Sequence, residues 1–94
     1  MITTQSQNKL QTALEMLSKA NTAMIEAINA VVNESENKEV IYPESHKYDW
    51  WETRTIKHNE NGELMVFDDC DNELRAIDDS SADDLYDICL SMLN

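Results

Sequence analysis

The chain has 94 residues, the length of one small domain, so we expect a single domain over residues 1–94. Hydrophobic residues make up 41% of it, enough for one modest core, and 7 Lys and Arg against 19 Asp and Glu give a formal net charge of -12. A surface this acidic repels nucleic acid phosphates and anionic lipids and attracts basic proteins, so direct nucleic acid binding is nearly excluded. A single Gly and a single Pro leave few of the backbone devices that catalytic loops use, so we predict no enzymatic activity and no cofactor.

The cellular location is predicted from cysteine content and from the absence of targeting patterns. Cys70 and Cys89 could form at most one disulfide, whereas a secreted domain of this size that needed cross-links usually carries more. The first residues lack the basic and apolar regions of a signal peptide, and no window approaches the roughly 18 apolar residues of a membrane span. We therefore expect a soluble cytoplasmic protein with free thiols and no membrane partner.

The first third of the chain predicts a long amphipathic helix that ends near Asn33. Thr4 and Gln7 fit a capping box at its start. Spacings of four and three alternate along one apolar stripe, formed by Leu10, Leu14, Leu17, Asn21, Met24, Ile28 and Val31. Flanking apolar residues widen this stripe, which favours packing against the chain's own sheet, so we expect a monomer. Asn21 at a heptad core position leaves a homodimer open, because a buried Asn there sets register between paired helices.

Strand-forming residues follow the helix. Residues 40–43 predict an extended connection, because Pro43 keeps the preceding residue out of helical space. Residues 48–57 are rich in Trp, Thr, Tyr and Ile and predict a strand. Asn61 and Gly62 predict a hairpin turn before a second strand over Leu64–Phe67, since both residues tolerate positive φ. A turn over 69–72 then leads to a short third strand over 74–77.

The chain ends in a second amphipathic helix. Ser80 and Ser81 predict its start, and the apolar residues at helical spacing are Leu85, Ile88, Cys89 and Met92. The complete order predicts an α+β fold, αβββα, with a long N-terminal helix, a three-stranded antiparallel sheet and a short C-terminal helix. We expect both helices to cover one face of the sheet.

A calcium loop is one candidate site. Asp69, Asp71 and Glu73 have the spacing of the first three ligands of an EF-hand. The sixth and twelfth positions hold Leu74 and Ser80 instead of Gly and Glu, so a solvated turn is the favoured interpretation.

The histidines and cysteines give no stronger site. His46 and His58 lack zinc-ligand spacing and are interpreted as surface residues. Cys89 is interpreted as a small core residue of the last helix. Cys70 is a poor nucleophile because the acids beside it disfavour its thiolate. We predict no catalytic residue and no metal site.

Trp50 and Trp51 are neighbours on a predicted strand, so their side chains point to opposite faces. One enters the core, and the other is either covered by residues 34–47 or exposed as an anchor for a partner.

Acidity is concentrated in the last third. Residues 68–94 contain nine acids and only Arg75, a balance of -8, whereas two Lys and two Glu cancel over residues 1–33. Acids two apart on a strand or four apart on a helix lie about 6 to 7 Å apart, similar to successive phosphates. An ordinary solvated face would account for these acids, but like charges at i,i+4 destabilise a helix, so a protein-binding anionic surface is an equal alternative. The predicted partner-binding residues are Asp68, Asp69, Asp71, Glu73, Asp78, Asp79, Asp83, Asp84 and Asp87.

Short motifs in this half resemble small phage anti-CRISPR proteins, in particular the acidic inhibitors of type I-F surveillance complexes that mimic double-stranded DNA. The motifs are Phe67-Asp68-Asp69 up to Asn72, Ala76-Ile77-Asp78, and Ala82-Asp83-Asp84. The resemblance implies that some of these carboxylates replace DNA phosphates in a basic channel, namely Asp68, Asp69, Asp78, Asp83, Asp84 and Asp87. It also implies action in the host bacterial cytoplasm. The neutral first helix and residues 48–51 depart from that pattern.

The leading functional prediction is therefore a phage-encoded stoichiometric inhibitor that occupies the cationic DNA-binding groove of a host defence complex. Its partner would be a basic DNA-binding protein complex, with a CRISPR surveillance complex suspected. The alternative is a helix-mediated homodimeric adaptor or antitoxin-like protein-binding module, with the stripe from Leu10 to Val31 as its interface.

Overall fold

The computed structural model describes residues 2–45 and 51–93. For Glu44, Ser45 and Trp51 it describes only the backbone. Two helices flank four strands along the chain. The elements are α1 (Thr4–Glu34), β1 (Glu39–Ser45), β2 (Trp51–His58), β3 (Leu64–Phe67), β4 (Glu73–Ala76) and α2 (Ala82–Leu93). Two short 3₁₀ turns, Glu36–Lys38 and Ile77–Asp79, precede β1 and α2. The α+β class and both predicted helices are confirmed.

Helix α1 begins one residue earlier than predicted, because its cap is Thr3. Thr3 has extended backbone angles, and its side chain accepts a hydrogen bond from the N–H of Ser6 at 3.1 Å. The predicted capping box of Thr4 and Gln7 is therefore wrong by one residue, because Thr4 is already helical. At the other end, the Ser35 hydroxyl donates to the carbonyl of Val31 at 2.6 Å.

The sheet contains four strands in the order β1-β2-β3-β4, so the prediction of three strands is wrong. The additional strand is β1, which pairs antiparallel with β2 and includes the residues predicted to be an extended connection. Pro43 lies opposite Thr53 in this pairing. Within the described sheet β1 is an edge strand, the place where a sheet tolerates proline.

The other strand boundaries differ slightly from the prediction. Strand β2 begins at Trp51; Tyr48, Asp49 and Trp50, which were predicted to belong to it, lie outside the described residues. Strand β3 is as predicted, and β4 lies one residue earlier because Ile77 begins a 3₁₀ turn.

The hairpin between β2 and β3 forms where it was predicted, but its turn has a different conformation. Gly62 has a φ of 80°, whereas the φ of Asn61 is not positive. The Asn59 carboxamide holds the loop by accepting from the N–H groups of Asn61 and Glu63.

The core lies between the helices and one face of the sheet. Its buried side chains are Ile28, Val32, Tyr42, Ile56, Val66, Ile77, Leu85 and Ile88. Ile56 and Val66 are direct cross-strand partners and both contribute to this cluster, as do residues of α1 and α2. Both helices therefore cover the same sheet face, as predicted. Ile41, on the opposite face, is 62% exposed.

The first half of α1 does not pack against the other described residues, 21–45 and 51–93. Every residue from 4 to 20 is exposed, and Leu10, Leu14 and Leu17 are 57%, 67% and 48% accessible. Packing begins near Met24, which contacts the core cluster. The expectation that the whole apolar stripe is buried against the sheet is wrong for this half, and the argument for a monomer that depended on it no longer holds.

None of the described helices combines the length and apolar character needed to cross a membrane.

Candidate functional site

The acidic segment begins in the turn that joins β3 to β4. Asp68 organises this turn: its Oδ1 accepts from the backbone N–H groups of Cys70 and Asn72, each at 2.9 Å, and its Oδ2 accepts from the Asn72 side chain at 3.1 Å. Asp71 takes a φ of 65°, a left-handed conformation that Asp tolerates better than most residues. The solvated-turn interpretation of this segment is consistent with these bonds.

The hydrogen bonds also affect the titration of Asp68. The backbone N–H of Asn72, followed by the Asn72 side chain, stabilises the carboxylate and lowers the pKa of Asp68 below its ordinary value. Asp68 therefore stays charged at neutral pH, but its oxygens already have partners within the turn. It is less available to an external ligand than the acids around it.

Asp71 and Glu73 lie beside a basic residue. The Lys57 ammonium forms an ion pair with the Asp71 carboxylate at 2.8 Å and lies 4.8 Å from the centre of the Phe67 ring. Lys57, Asp71 and Glu73 line an open groove of about 580 Å³, together with Glu60. Asp69 and Asp71 lie in the turn that was predicted over 69–72, and of these three acids only Glu73 lies on a strand, β4, so the strand spacing of carboxylates does not extend over them.

The second acidic group follows β4. The 3₁₀ turn Ile77–Asp79 is anchored by the fully buried Ile77, and this leaves Asp78 and Asp79 exposed. Asp78 lines a second groove, of about 360 Å³, together with Asn29 and His58. His58 is half-buried and forms a 2.9 Å hydrogen bond with Asn29 that links β2 to α1, a contact the sequence did not indicate.

The third group lies on α2. Ser81 caps this helix, since its hydroxyl accepts from the N–H of Asp84 at 3.2 Å, and this confirms the predicted start. Asp83 and Asp84 occupy the first turn, where the helix dipole favours negative charge. Asp83 and Asp87 are exposed, one turn apart, while Leu85 and Ile88 are buried. The predicted helical spacing of these two acids is confirmed.

The nine predicted residues therefore form three groups along the chain, and three of the nine line a groove. Asp71 and Glu73 line the groove with Lys57, and Asp78 lines the other groove; His58 and Glu63 line both. Sequence reasoning did not select Glu60 and Glu63, the acids of the β2–β3 loop. The alternation of side chains along β2 could have indicated that Lys57 shares a face with Phe67.

The two thiols differ in exposure. Cys70 is exposed, and Cys89 is a half-buried free thiol packed against the core, where desolvation raises its pKa. Within residues 2–45 and 51–93, no three His, Cys, Asp or Glu side chains are placed to hold a metal ion. His46, Trp50 and the Trp51 side chain lie outside the described residues.

The arrangement can act chemically as a set of charged hydrogen-bond acceptors for Arg and Lys side chains. Comparisons with protein-family models, with curated proteins and with solved structures give no match.

Proposed function

We propose that this chain is a phage-encoded stoichiometric inhibitor, without catalytic activity, that binds the cationic DNA-binding groove of a host defence complex in place of DNA. The observation that carries the proposal is the exposure of acids on four consecutive segments: the β3–β4 turn, β4, the 3₁₀ turn and α2. The exposed members are Asp69, Asp71, Glu73, Asp78, Asp79, Asp83 and Asp87. They lie in a segment that contains one basic residue, so its surface presents strong negative charge to a partner. The resemblance to acidic anti-CRISPR proteins supports a DNA-binding groove as the target.

The mechanism is electrostatic. Long-range attraction steers the acidic surface towards the cationic groove, and carboxylates then form charge-assisted hydrogen bonds with Arg and Lys side chains. No bond is made or broken. Because the attraction between exposed charges is screened over about 8 Å at physiological ionic strength, binding weakens as salt is added.

The acids differ in their availability to a partner. Asp68 is occupied by the turn, and Asp71 shares its charge with Lys57. Asp78, Asp83 and Asp87 are exposed, on the 3₁₀ turn and on the side of α2 away from its buried residues. We therefore assign the largest contribution to these three.

A charge-reversal variant tests this assignment. Asp78→Lys, Asp83→Lys and Asp87→Lys combined should weaken inhibition of DNA binding by about 10- to 100-fold, because rim charges control association and repulsion replaces attraction. The assay is displacement of labelled duplex DNA from a purified type I-F surveillance complex. If that complex is unaffected, the assay is repeated on the nucleic-acid-binding complex that the protein retains at low salt from a host lysate and releases in a salt gradient.

The matched control changes the same number of charges elsewhere. Glu15→Lys, Glu34→Lys and Glu36→Lys alter exposed residues outside the acidic segment and should leave inhibition within a few-fold of the original. Circular dichroism should show that both triple variants are folded. An equal loss of inhibition in the two triple variants would indicate a general effect of net charge. It would contradict the assignment of the binding surface to Asp78, Asp83 and Asp87.

Order of addition tests the competition itself. The inhibitor should block DNA loading when it is added first and act poorly once DNA is bound, because both ligands need one groove. Equal binding in the presence of DNA would exclude mimicry of phosphates as the mechanism.

A further inference from the structure

The first half of α1 presents an apolar surface without a partner in the described chain. Leu10, Leu14 and Leu17 are each about half exposed or more. They lie on a helical segment, residues 4–20, that extends for about 25 Å at the usual helical rise. Three large apolar side chains in one row favour an interface over an ordinary solvated helix face.

The pattern around these leucines fits a second helix of the same kind. Leu10, Leu14, Leu17 and Asn21 alternate spacings of four and three, the heptad pattern of paired helices. We call this row the seam. The positions that flank it are uncharged: Gln11, Ala13, Ser18 and Ala20. The charged residues of the segment lie outside the seam, and they are Lys9, Glu15 and Lys19. Identical seams can therefore pack together without bringing like charges into contact.

The charge distribution of the chain favours a second copy as the partner that covers these leucines. The chain carries -12 overall, yet residues 1–33 are neutral, so two copies repel each other everywhere except along this helix. A strongly basic partner would be drawn to the acidic segment instead, because the stripe offers it no opposite charge.

Asn21 provides a second observation. It lies where the exposed half of α1 meets the packed half, and its side-chain Oδ1 is buried without a hydrogen-bond partner in the described chain. A buried amide acceptor without a partner destabilises a fold unless another group satisfies it. In the single chain this oxygen is shielded from solvent, so a second copy would satisfy it once the side chain turns outward, and an Asn at a heptad core position can then fix the register of the pair.

From these observations we infer that residues 4–21 of α1 form a homodimer interface in which Leu10, Leu14 and Leu17 pack against the same row of a second copy. This inference does not depend on the proposed function, because it involves none of the acids of residues 68–87.

Sedimentation equilibrium of the full chain tests it. At micromolar concentration, the protein should approach twice its chain mass of 10.8 kDa, and the association should persist at high salt because its contacts are apolar. Leu14→Glu should raise the dissociation constant of the dimer at least about 100-fold, since it places a charge in an apolar seam of each copy.

Met16→Glu is the matched control. Met16 is 65% exposed on the same turn of α1 but lies outside the seam, so this variant adds the same charge and should remain a dimer. Far-UV circular dichroism should show equal helix content in both variants.

Three outcomes of the sedimentation experiment would overturn the inference. They are a wild-type chain that stays monomeric up to the highest soluble concentration, a dimer that Leu14→Glu leaves intact, and an assembly larger than two copies. A monomeric chain that binds an unrelated protein through Leu14 would also overturn it, by assigning the stripe to another occupant.

Discussion

Asp68 differs from the other acids of its segment because its carboxylate is already used by the fold. Three hydrogen bonds from Cys70 and Asn72 hold both of its oxygens, whereas Asp69 beside it is exposed in the same turn. These two neighbouring aspartates therefore have different structural roles. Asp68 gives the turn its shape, and Asp69 adds negative charge to the surface.

This difference predicts a pH dependence of stability. The lowered pKa of Asp68 stabilises the folded chain above the unfolded pKa of about 3.9, and this contribution disappears as pH falls through the lower folded value. Asp68→Asn should therefore be less stable than the wild type at pH 7, and the difference should shrink from about pH 5 downwards. Urea titrations across this pH range measure it.

Asp69→Asn is the control for the loss of one negative charge from the turn. It should show no destabilisation at pH 7 and, by relieving repulsion, a slight gain in stability. If Asp68→Asn behaved in the same way as Asp69→Asn at every pH, the hydrogen bonds of Asp68 would have no effect on stability.

The sequence predicted which residues make this surface acidic, but it did not predict which of their carboxylates are free to bind a partner. The local surplus of acids in residues 68–87 can be counted directly from the sequence, and helical periodicity places Asp83 and Asp87 on one exposed side of α2. Whether a carboxylate is free depends on its contacts across the sheet. The ion pair between Lys57 and Asp71 spans 14 residues, a distance that no local pattern covers.

At the level of the elements, the two faces of the sheet differ in what covers them. Ile56 on β2 is fully buried beneath the helices, whereas Ile41 on the neighbouring strand β1 faces away from them and is largely exposed. Two isoleucines on paired strands therefore contribute very differently to folding.

Paired alanine substitutions measure this difference. Ile56→Ala should lower the free energy of unfolding by about 2 to 5 kcal/mol, because it removes buried methyl groups and leaves a cavity. Ile41→Ala should change it by less than about 0.5 kcal/mol. Chemical denaturation of both variants checks the prediction, and similar losses would mean that the outer face is also covered.

The elements that the sequence predicted well have strong local signals, and those it missed depend on neighbours. Periodicity identified both helices, and Ser81 marked the start of α2. Strand β1 was missed because Pro43 argues against an internal strand, and only the pairing with β2 shows that it lies at an edge. The apolar stripe of α1 indicates which face avoids water, but the spacing of Leu10, Leu14 and Leu17 does not indicate what covers that face.

For the whole molecule, the net charge of -12 opposes compact folding. Because the acids are crowded in the last third, added NaCl should screen their repulsion and raise the thermal unfolding midpoint by a few degrees. In a variant with Asp78→Asn, Asp83→Asn and Asp87→Asn, the same salt should raise the unfolding midpoint by less. Differential scanning calorimetry compares the two proteins. A steep rise with micromolar calcium alone would instead restore the calcium interpretation of Asp69, Asp71 and Glu73.

A homodimer formed through the unpacked half of α1 would also change the valency of the protein. Two chains joined through it would carry two acidic surfaces on one particle, and the second could engage a target at the effective concentration set by the first. Where a target offers two grooves within reach, such linkage strengthens overall binding by about 100- to 10,000-fold without any new contact. The leucines that contribute least to the fold of one chain would then determine how many grooves a single particle occupies at once.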